Sequence, residues 1–178
     1  MKFWQAFKFC PRCAGQLKSR VPGSRSCHWL VCQKCHNTLY LNPHPTVLAI
    51  IEDKTKTKIL LVKRAVNPYK NMWDVPGGFV EVGQNLETAI KQEIKEELGA
   101  EVKSLTYFDS FVSVYPHQGV DEDVVGVAFR VQVKNQSFKP ADDISEAKWF
   151  DKNNLPKTAP LADVQQAIGK LVTSDKCV

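Results

Sequence analysis

Hydrophobic positions change period several times along this chain. Two apolar runs of strand length, TVLAIIED (46–53) and KILLVKRA (58–65), flank the polar stretch DKTKTK and predict two strands joined by a turn. NPYKNMWDVPGGFVEV follows, rich in loop formers, with Trp73, Val75, Phe79 and Val80 as packing candidates. In LETAIKQEIKEEL (86–98) the large aliphatics return every four residues, with Asn85 placed to cap the first turn and Gly99 to end the last. Strand-like stretches near 101–115 and 123–133, a short strand EAKWF and a closing helix near LADVQQAIGKLV complete the pattern. Mixed strands with two separated helices predict an α/β (α+β) fold, with a three-layer α/β/α sandwich as its specific form.

The first helix raises a chemical question. At about 100° per residue, with Leu86 at zero, Ile90, Ile94 and Leu98 fall near 40°, 80° and 120° and define the buried stripe. Glu93 and Glu97 then lie about 20° either side of Leu86, and Glu96 lies beside them, while Lys91, Lys95 and Thr88 face away. Carboxylates at the edge of a buried stripe must be balanced by positive charge. A basic residue from elsewhere or a bound cation would do so, and three oxygen ligands at i, i+3 and i+4 suit a hard ion such as Mg²⁺. A solvated acidic helix is the alternative.

The first forty residues follow a different logic. Cys10 and Cys13 in CPRC, then Cys32 and Cys35 in CQKC, form C-x2-C-x18-C-x2-C. That spacing predicts a structural four-thiolate zinc site, because each tight turn aims two sulfurs at one ion. Redox pairs and ordinary buried thiols are the alternatives. Cys27, His28 and His36 are near enough to compete as ligands but are expected on the surface or in packing. Such a closed site leaves no position for chemistry, so what the module can supply is stability, with dimerisation or substrate lining as further roles. YLNPHPTV reads as a linker, giving a zinc ribbon over 1–41 and a larger domain over 42–178.

Composition narrows the class. With 43% hydrophobic and 24% charged residues, the chain reads as soluble and globular, and no apolar run is long enough to cross a bilayer. MKFWQAFKF lacks the apolar stretch of a secretory signal, so a cytoplasmic location is expected. A net charge of +5 from scattered lysines favours anionic ligands without demanding nucleic acid; a nucleic-acid binder marked by the cysteine module and the basic charge is the weaker alternative.

GFVEVGQNLETAIKQEIKEELGA, Gly78 to Ala100, resembles the Nudix box, G-x5-E-x7-R-E-U-x-E-E-x-G-U, with U a bulky aliphatic. Gly78, Glu93, Ile94, Glu96, Glu97 and Gly99 match it, and LLVKR, WDVPGGFVE and DISEAKWFDKNNLP extend the similarity over roughly residues 45 to 172. The resemblance implies an α/β/α sandwich and a Mg²⁺- or Mn²⁺-dependent hydrolase that splits a pyrophosphate inside a nucleoside diphosphate joined to another group. Glu93, Glu96 and Glu97 would hold the metals, with Glu97 the first choice of base. A further acid from HQGVDEDVV is implied, with Glu122 the candidate ahead of Asp121 and Asp123. Arg64 is a candidate phosphate contact, and Trp73, Phe79 and Tyr115 are candidates for base stacking or core.

Three positions depart from the pattern: Gln84 replaces Glu, Gln92 replaces Arg, and Ala100 replaces a larger aliphatic. In the family the arginine helps orient the first ligand glutamate, so Gln92 is expected to weaken the hold on Glu93 and slow catalysis. A domain that binds a nucleotide without hydrolysing it is the alternative. A four-cysteine ribbon before such a domain resembles pyrophosphatases acting on NADH, ADP-ribose or FAD. DSFVSVYPHQG lacks the S-Q-P-W-P-F-P-x-S signature of the NADH enzymes, so ADP-ribose or an FAD-like dinucleotide is expected, ahead of nucleoside triphosphates. The resemblance also leaves room for a homodimer that helps to select the substrate.

Overall fold

In a computed structural model, which describes residues 1–19 and 29–174, three short strands carry the N-terminal cysteines. β1 (Leu17–Ser19), β2 (Trp29–Cys32) and β3 (Thr38–Tyr40) form an antiparallel sheet in that order, with Leu17 opposite Cys32 and Leu30 opposite Leu39. Among the described residues, the buried core of this sheet is Cys10, Leu17, Leu30 and Cys32, with Phe7, Cys13, Cys35, Leu39 and Leu41 packed against it. So few apolar side chains cannot offset the entropy of ordering some forty residues, hence the need for a cross-link through the cysteines. Cys27, His28 and Cys177 lie outside the described residues.

Backbone contacts group Met1–Pro43 with Val114–Asp123 as one unit, and His44–Ser113 with Val124–Val178 as another. Within the first, the terminal amine donates to the Gly119 carbonyl at 3.0 Å, and the Asp121 N–H donates to the Met1 carbonyl at 2.8 Å. A hairpin tip far along the chain is thereby fastened to the N-terminal residues, an association no local pattern announces.

The second unit holds β4 (His44–Ile50), β5 (Lys58–Arg64), β6 (Trp73–Asp74), β7 (Gly77–Phe79), α1 (Leu86–Leu98), most of β8 (Val102–His117) and β9 (Val120–Val133), β10 (Ile144–Asp151) and α2 (Ala162–Ser174). One sheet runs β7-β4-β9-β8 and the other β10-β5-β6. β4 and β9 are parallel, with Val47 beside Val127, whereas β10 and β5 are antiparallel, with Trp149 opposite Leu60. Ala89, Ile90, Ile94 and Leu98 of α1 pack on Val47 and Ala49 of β4, Leu60 and Val62 of β5, and Val127, Phe129 and Val131 of β9. The intervening residues Leu48, Ile50, Ile59 and Leu61 are buried as well, so β4 and β5 are covered on both faces. Asp163 at the start of α2 lies against Gly126 of β9, and Val164, Ala167, Ile168 and Leu171 bury the stripe of that helix. Helices thus cover both sides of the sheets, as the mixed pattern predicts.

One stretch differs from its sequence reading. NPYKNMWDVPGGFVEV contains two strands, β6 and β7, of two and three residues. Segments that short show no alternation, and their pairing with β5 and β4 is a tertiary outcome. Trp73 meets Phe150 edge-on at 4.7 Å, Phe79 remains 36% exposed, and Tyr115 is half-buried.

Candidate active site and metal centre

Helix α1 spans the residues its pattern predicts, and both ends show why. Asn85 accepts from the Thr88 N–H at 2.8 Å, while Thr88 Oγ1 accepts from the Asn85 N–H at 3.1 Å, a reciprocal cap. Gly99 ends the helix at φ 60°, and its N–H bonds the Lys95 carbonyl. The helix is therefore fixed in rotation by its core stripe and in length by its caps. Its carboxylates then have set positions. Glu97 is 3% exposed, Glu93 is half-buried and Glu96 faces solvent.

The PGG turn ahead of the helix receives two of them. Gly77 donates its N–H to Glu97 Oε2 at 3.1 Å. Glu93 lies against Gly78 so closely that a Cβ there would be 2.5 Å from Glu93 Oε1, a distance only glycine tolerates. Glycine at this site thus makes room for a carboxylate.

A fourth acid, not singled out from the sequence, joins them. Asp143, just before β10, is half-buried and close enough to Glu97 for the two carboxyls to act on each other's charge. The Ala141 N–H donates to the Glu97 carbonyl at 3.0 Å and the Ala65 N–H to the Asp143 carbonyl at 2.7 Å, which ties this loop to both α1 and the end of β5. The only sequence signal was the acidic pair in ADDISEAKWF, which reads equally as an ordinary polar turn.

The electrostatics of this cluster are unbalanced. Burial, followed by the charges of Glu96, Asp143, Asp142 and Glu81, raises Glu93 to about 7. Burial, then Asp143 and Glu93, pushes Glu97 well above the carboxylate range, against the pull of the Gly77 N–H. Asp143 is raised too, burial outweighing the attraction of Arg64. These groups resist ionisation together, and a divalent cation would supply the missing positive charge. Hard carboxylate oxygens on Glu93, Glu96, Glu97 and Asp143 are the donor type that Mg²⁺ or Mn²⁺ takes.

Arg64 sits at the end of β5 with its side chain 13% exposed. It donates from Nε to the Pro68 carbonyl at 2.7 Å and from Nη1 to Asp74 Oδ2 at 3.1 Å. Burial raises Asp74 to about 6 despite that guanidinium. Arg64 is thus held in an ion pair with Asp74. Glu122 lies at the start of β9, half-buried, in the segment grouped with Met1–Pro43; Asp121 there is 4.0 Å from the terminal amine, and Asp123 is exposed.

The two glutamines that depart from the box are bonded to each other. Gln84 Nε2 donates to Gln92 Oε1 at 2.7 Å, and Gln92 Nε2 donates to Glu96 Oε1 at 3.0 Å. At the near end, the Glu81 N–H donates to Gln84 Oε1 at 3.0 Å. The i to i+4 spacing brings the Gln92 amide to Glu96 rather than to Glu93.

In the N-terminal unit, Cys10, Cys13, Cys32 and Cys35 place their sulfurs within 4.8 Å of one another, the only such donor set of three or more among the described residues. Cys10 and Cys35 sulfurs are 3.8 Å apart, and Cys13 and Cys32 sulfurs 3.5 Å. Zinc–sulfur bonds of about 2.3 Å in a tetrahedron require sulfurs about 3.8 Å apart, whereas a disulfide requires about 2.05 Å. The spacing fits zinc. Two copies of one turn build the site: Ala14 and His36, each four residues after the first cysteine of its pair, both have φ 57°. Cys10 N–H bonds the Gly15 carbonyl at 2.8 Å, and Cys32 N–H bonds the Asn37 carbonyl at 2.9 Å. The Cys35 N–H, and also that of Lys34, point at the Cys32 sulfur and help draw it down to about 6, so it ionises readily for a metal. His36 is exposed in its turn.

Comparisons with known proteins agree with this geometry. The NUDIX domain profile matches residues 42–171. An ADP-ribose pyrophosphatase from Methanocaldococcus jannaschii is 44% identical over 125 residues, covering 68% of this chain and 69% of that protein. An NAD-capped RNA hydrolase, NudC, from Vibrio vulnificus is 28% identical over 165 residues, covering 92% of this chain, which spans only 58% of that protein's length. The crystal structure of a NUDIX hydrolase from Nitrosomonas europaea superposes with a TM-score of 0.69 at 27% identity, covering 96% of this chain and 93% of that one. The chain belongs to the NUDIX family of hydrolases.

Proposed function

We propose that this protein hydrolyses the pyrophosphate of a nucleoside diphosphate conjugate, with ADP-ribose or an FAD-like dinucleotide as the favoured substrate. The carrying observation is the buried Glu97, held by the Gly77 N–H and crowded by the carboxyls of Asp143 and Glu93. The 44% identity to an ADP-ribose pyrophosphatase supports the substrate class. A bound Mg²⁺ or Mn²⁺ supplies neutralisation of the phosphate charge and a lowered pKa for a nucleophilic water.

The protein's own groups divide the remaining work. Glu93, Glu96, Glu97 and Asp143 are the residues that would hold the cation. Glu97, kept dry and immobile at the PGG turn, accepts the proton of the attacking water and shares it with Asp143. Water oxygen bonds to phosphorus, the bridging P–O bond breaks, and its electron pair leaves with the second phosphate. ADP-ribose would thus yield AMP and ribose 5-phosphate. Gln92 steadies Glu96 without adding charge. In the ribbon, free thiols at zinc-binding separation support a reducing compartment, the cytoplasm.

A second substrate reading, a 5′-capped RNA, is supported by the match to an NAD-capped RNA hydrolase, which runs through the ribbon as well as the hydrolase domain. Incubation of ADP-ribose, FAD and capped RNA with wild type and Glu97→Gln, with Mg²⁺ present, tests the proposal. Equal and negligible product from both proteins on every substrate would leave a nucleotide-binding domain in its place.

A further inference from the structure

The net charge of +5 averages two opposite segments. Residues 1–43 hold seven basic side chains and no Asp or Glu; all 19 acids lie beyond, where they outnumber the other 17 basic residues (24 less 7). Lys2, Lys8, Arg12, Lys18 and Lys34 are exposed, and none is in an ion pair among the described residues. The acids of this unit are Asp121, Glu122 and Asp123 of the hairpin tip, with Asp121 facing the terminal amine. The excess of positive charge persists even with the two negative charges that a four-thiolate zinc site carries.

Apolar rings accompany these cations. Phe9 is 62% and Tyr40 67% exposed, so both rings are open to a ligand. Phe7, Phe9, Leu17 and Leu30 line a groove of about 410 Å³, with Lys8 and Gln16 among its polar walls. That volume is in the range of a small-molecule site. Flat apolar surfaces beside unneutralised cations suit a ligand that carries stacking rings on a chain of anions, which describes a single nucleic-acid strand. A duplex hides its ring faces and would leave the groove unused.

We propose that the ribbon unit is a docking surface for single-stranded RNA, with bases stacking in the Phe7–Phe9 groove and phosphates on Lys8 and its basic neighbours. The choice of RNA rests on the proposed reading of the acid site: a 5′ end bearing a pyrophosphate-linked group is a nucleoside diphosphate conjugate with a strand attached. Because ribbon and hydrolase belong to one chain, a strand held by the first stays tethered to the second.

The test uses the zinc-loaded full chain and an uncapped, fluorescein-labelled RNA of about 12 nucleotides, followed by anisotropy. Wild type is expected to bind, losing about 10-fold or more in affinity between roughly 50 and 200 mM salt. The double variant Lys8→Glu/Phe9→Ala is expected to bind about 10-fold more weakly at low salt, with unchanged ADP-ribose hydrolysis and zinc content. Should the double variant lose zinc, Lys8→Gln alone replaces it, with a smaller loss of the same sign. RNA binding as tight in the variant as in wild type would overturn the proposal. Displacement of the RNA by phosphatidylserine vesicles at equal anion concentration would overturn it too, in favour of a membrane surface. RNA binding with no hydrolysis of any conjugate would sink the substrate reading and leave the docking surface standing.

Discussion

Gln84 donates a 2.7 Å hydrogen bond to Gln92, whose own amide reaches Glu96. Two residues that break the family pattern thus form a neutral chain ending on a metal-ligand candidate. Gln92→Ala removes a hydrogen bond to a charged group, about 1.5 kcal/mol, and should lower kcat about 10-fold. Restoring the charged pair with Gln84→Glu/Gln92→Arg should raise kcat/KM above wild type. Steady-state kinetics with ADP-ribose decide both; unchanged or lower turnover in the double variant would mean that the neutral chain is no handicap.

Glu97 combines deep burial with crowding by Asp143 and Glu93, so its negative charge is costly to the fold. Glu97→Gln keeps the shape and the bond to the Gly77 N–H while removing the charge. Activity should fall by about 100-fold or more, yet Tm without divalent ions at pH 8 should rise by about 2–4 °C, the shift expected for about 1 kcal/mol in a chain of this size. Differential scanning calorimetry beside an activity assay reads both, and a lower Tm would contradict the electrostatic account.

The pH dependence follows from the same groups. Glu93 rises from an ordinary 4.5 to about 7 in the folded protein, so it favours folding while protonated. That contribution is complete below the unfolded value near 4.5 and lost as pH climbs through about 7. Metal-free protein should therefore lose thermal stability between pH 5 and 8 (on the order of one titrating group). Added Mg²⁺ should raise Tm more at pH 8 than at pH 5, where protons occupy the donors. An equal rise at both would mean that the ion binds elsewhere.

Gly78 and Glu93 cannot both stay in place if a methyl group is added between them. Gly78→Ala sets a Cβ 2.5 Å from Glu93 Oε1, so the carboxylate must swing away. We expect kcat to fall about 10- to 100-fold, the order of effect expected when a catalytic group is misplaced by about 1 Å. Titration calorimetry with Mn²⁺ should show weakened metal binding; wild-type affinity with reduced kcat would assign the defect to the turn alone.

In the ribbon, Cys32 is completely buried and central to both the sulfur cluster and the small core. Cys32→Ser should reduce zinc from about one per chain to near zero and unfold the ribbon, because structural zinc contributes about 10 kcal/mol or more to such modules. Atomic absorption and circular dichroism check this, and full zinc retention would mean that another donor completes the site.

Much of this protein was readable locally. Helix α1 was legible to the residue because its stripe, its Asn85 cap and its Gly99 stop depend only on neighbours in the chain. The wheel that set Glu93 and Glu97 at the edge of that stripe rests on the same 3.6-residue period, and the two cysteine pairs are legible because each turn is local. Whole-chain charge conceals an asymmetry, since a sum cannot show that all seven ionic side chains of residues 1–43 are basic.

Other features needed the third dimension. Asp143 is 46 residues from Glu97, and only the loop tied to both α1 and β5 brings their carboxyls together. Arg64 reads from sequence as a free phosphate contact, and the fold places it against Asp74, ten residues away, in an ion pair. β6 and β7 exist only because β5 and β4 offer edges to pair with. Sequence by itself therefore determined the periodic elements, the cysteine turns and the positions of the helix glutamates, whose causes act over a few residues. Tertiary structure decided which charges meet, because burial and like-charge repulsion depend on distances that chain separation does not encode.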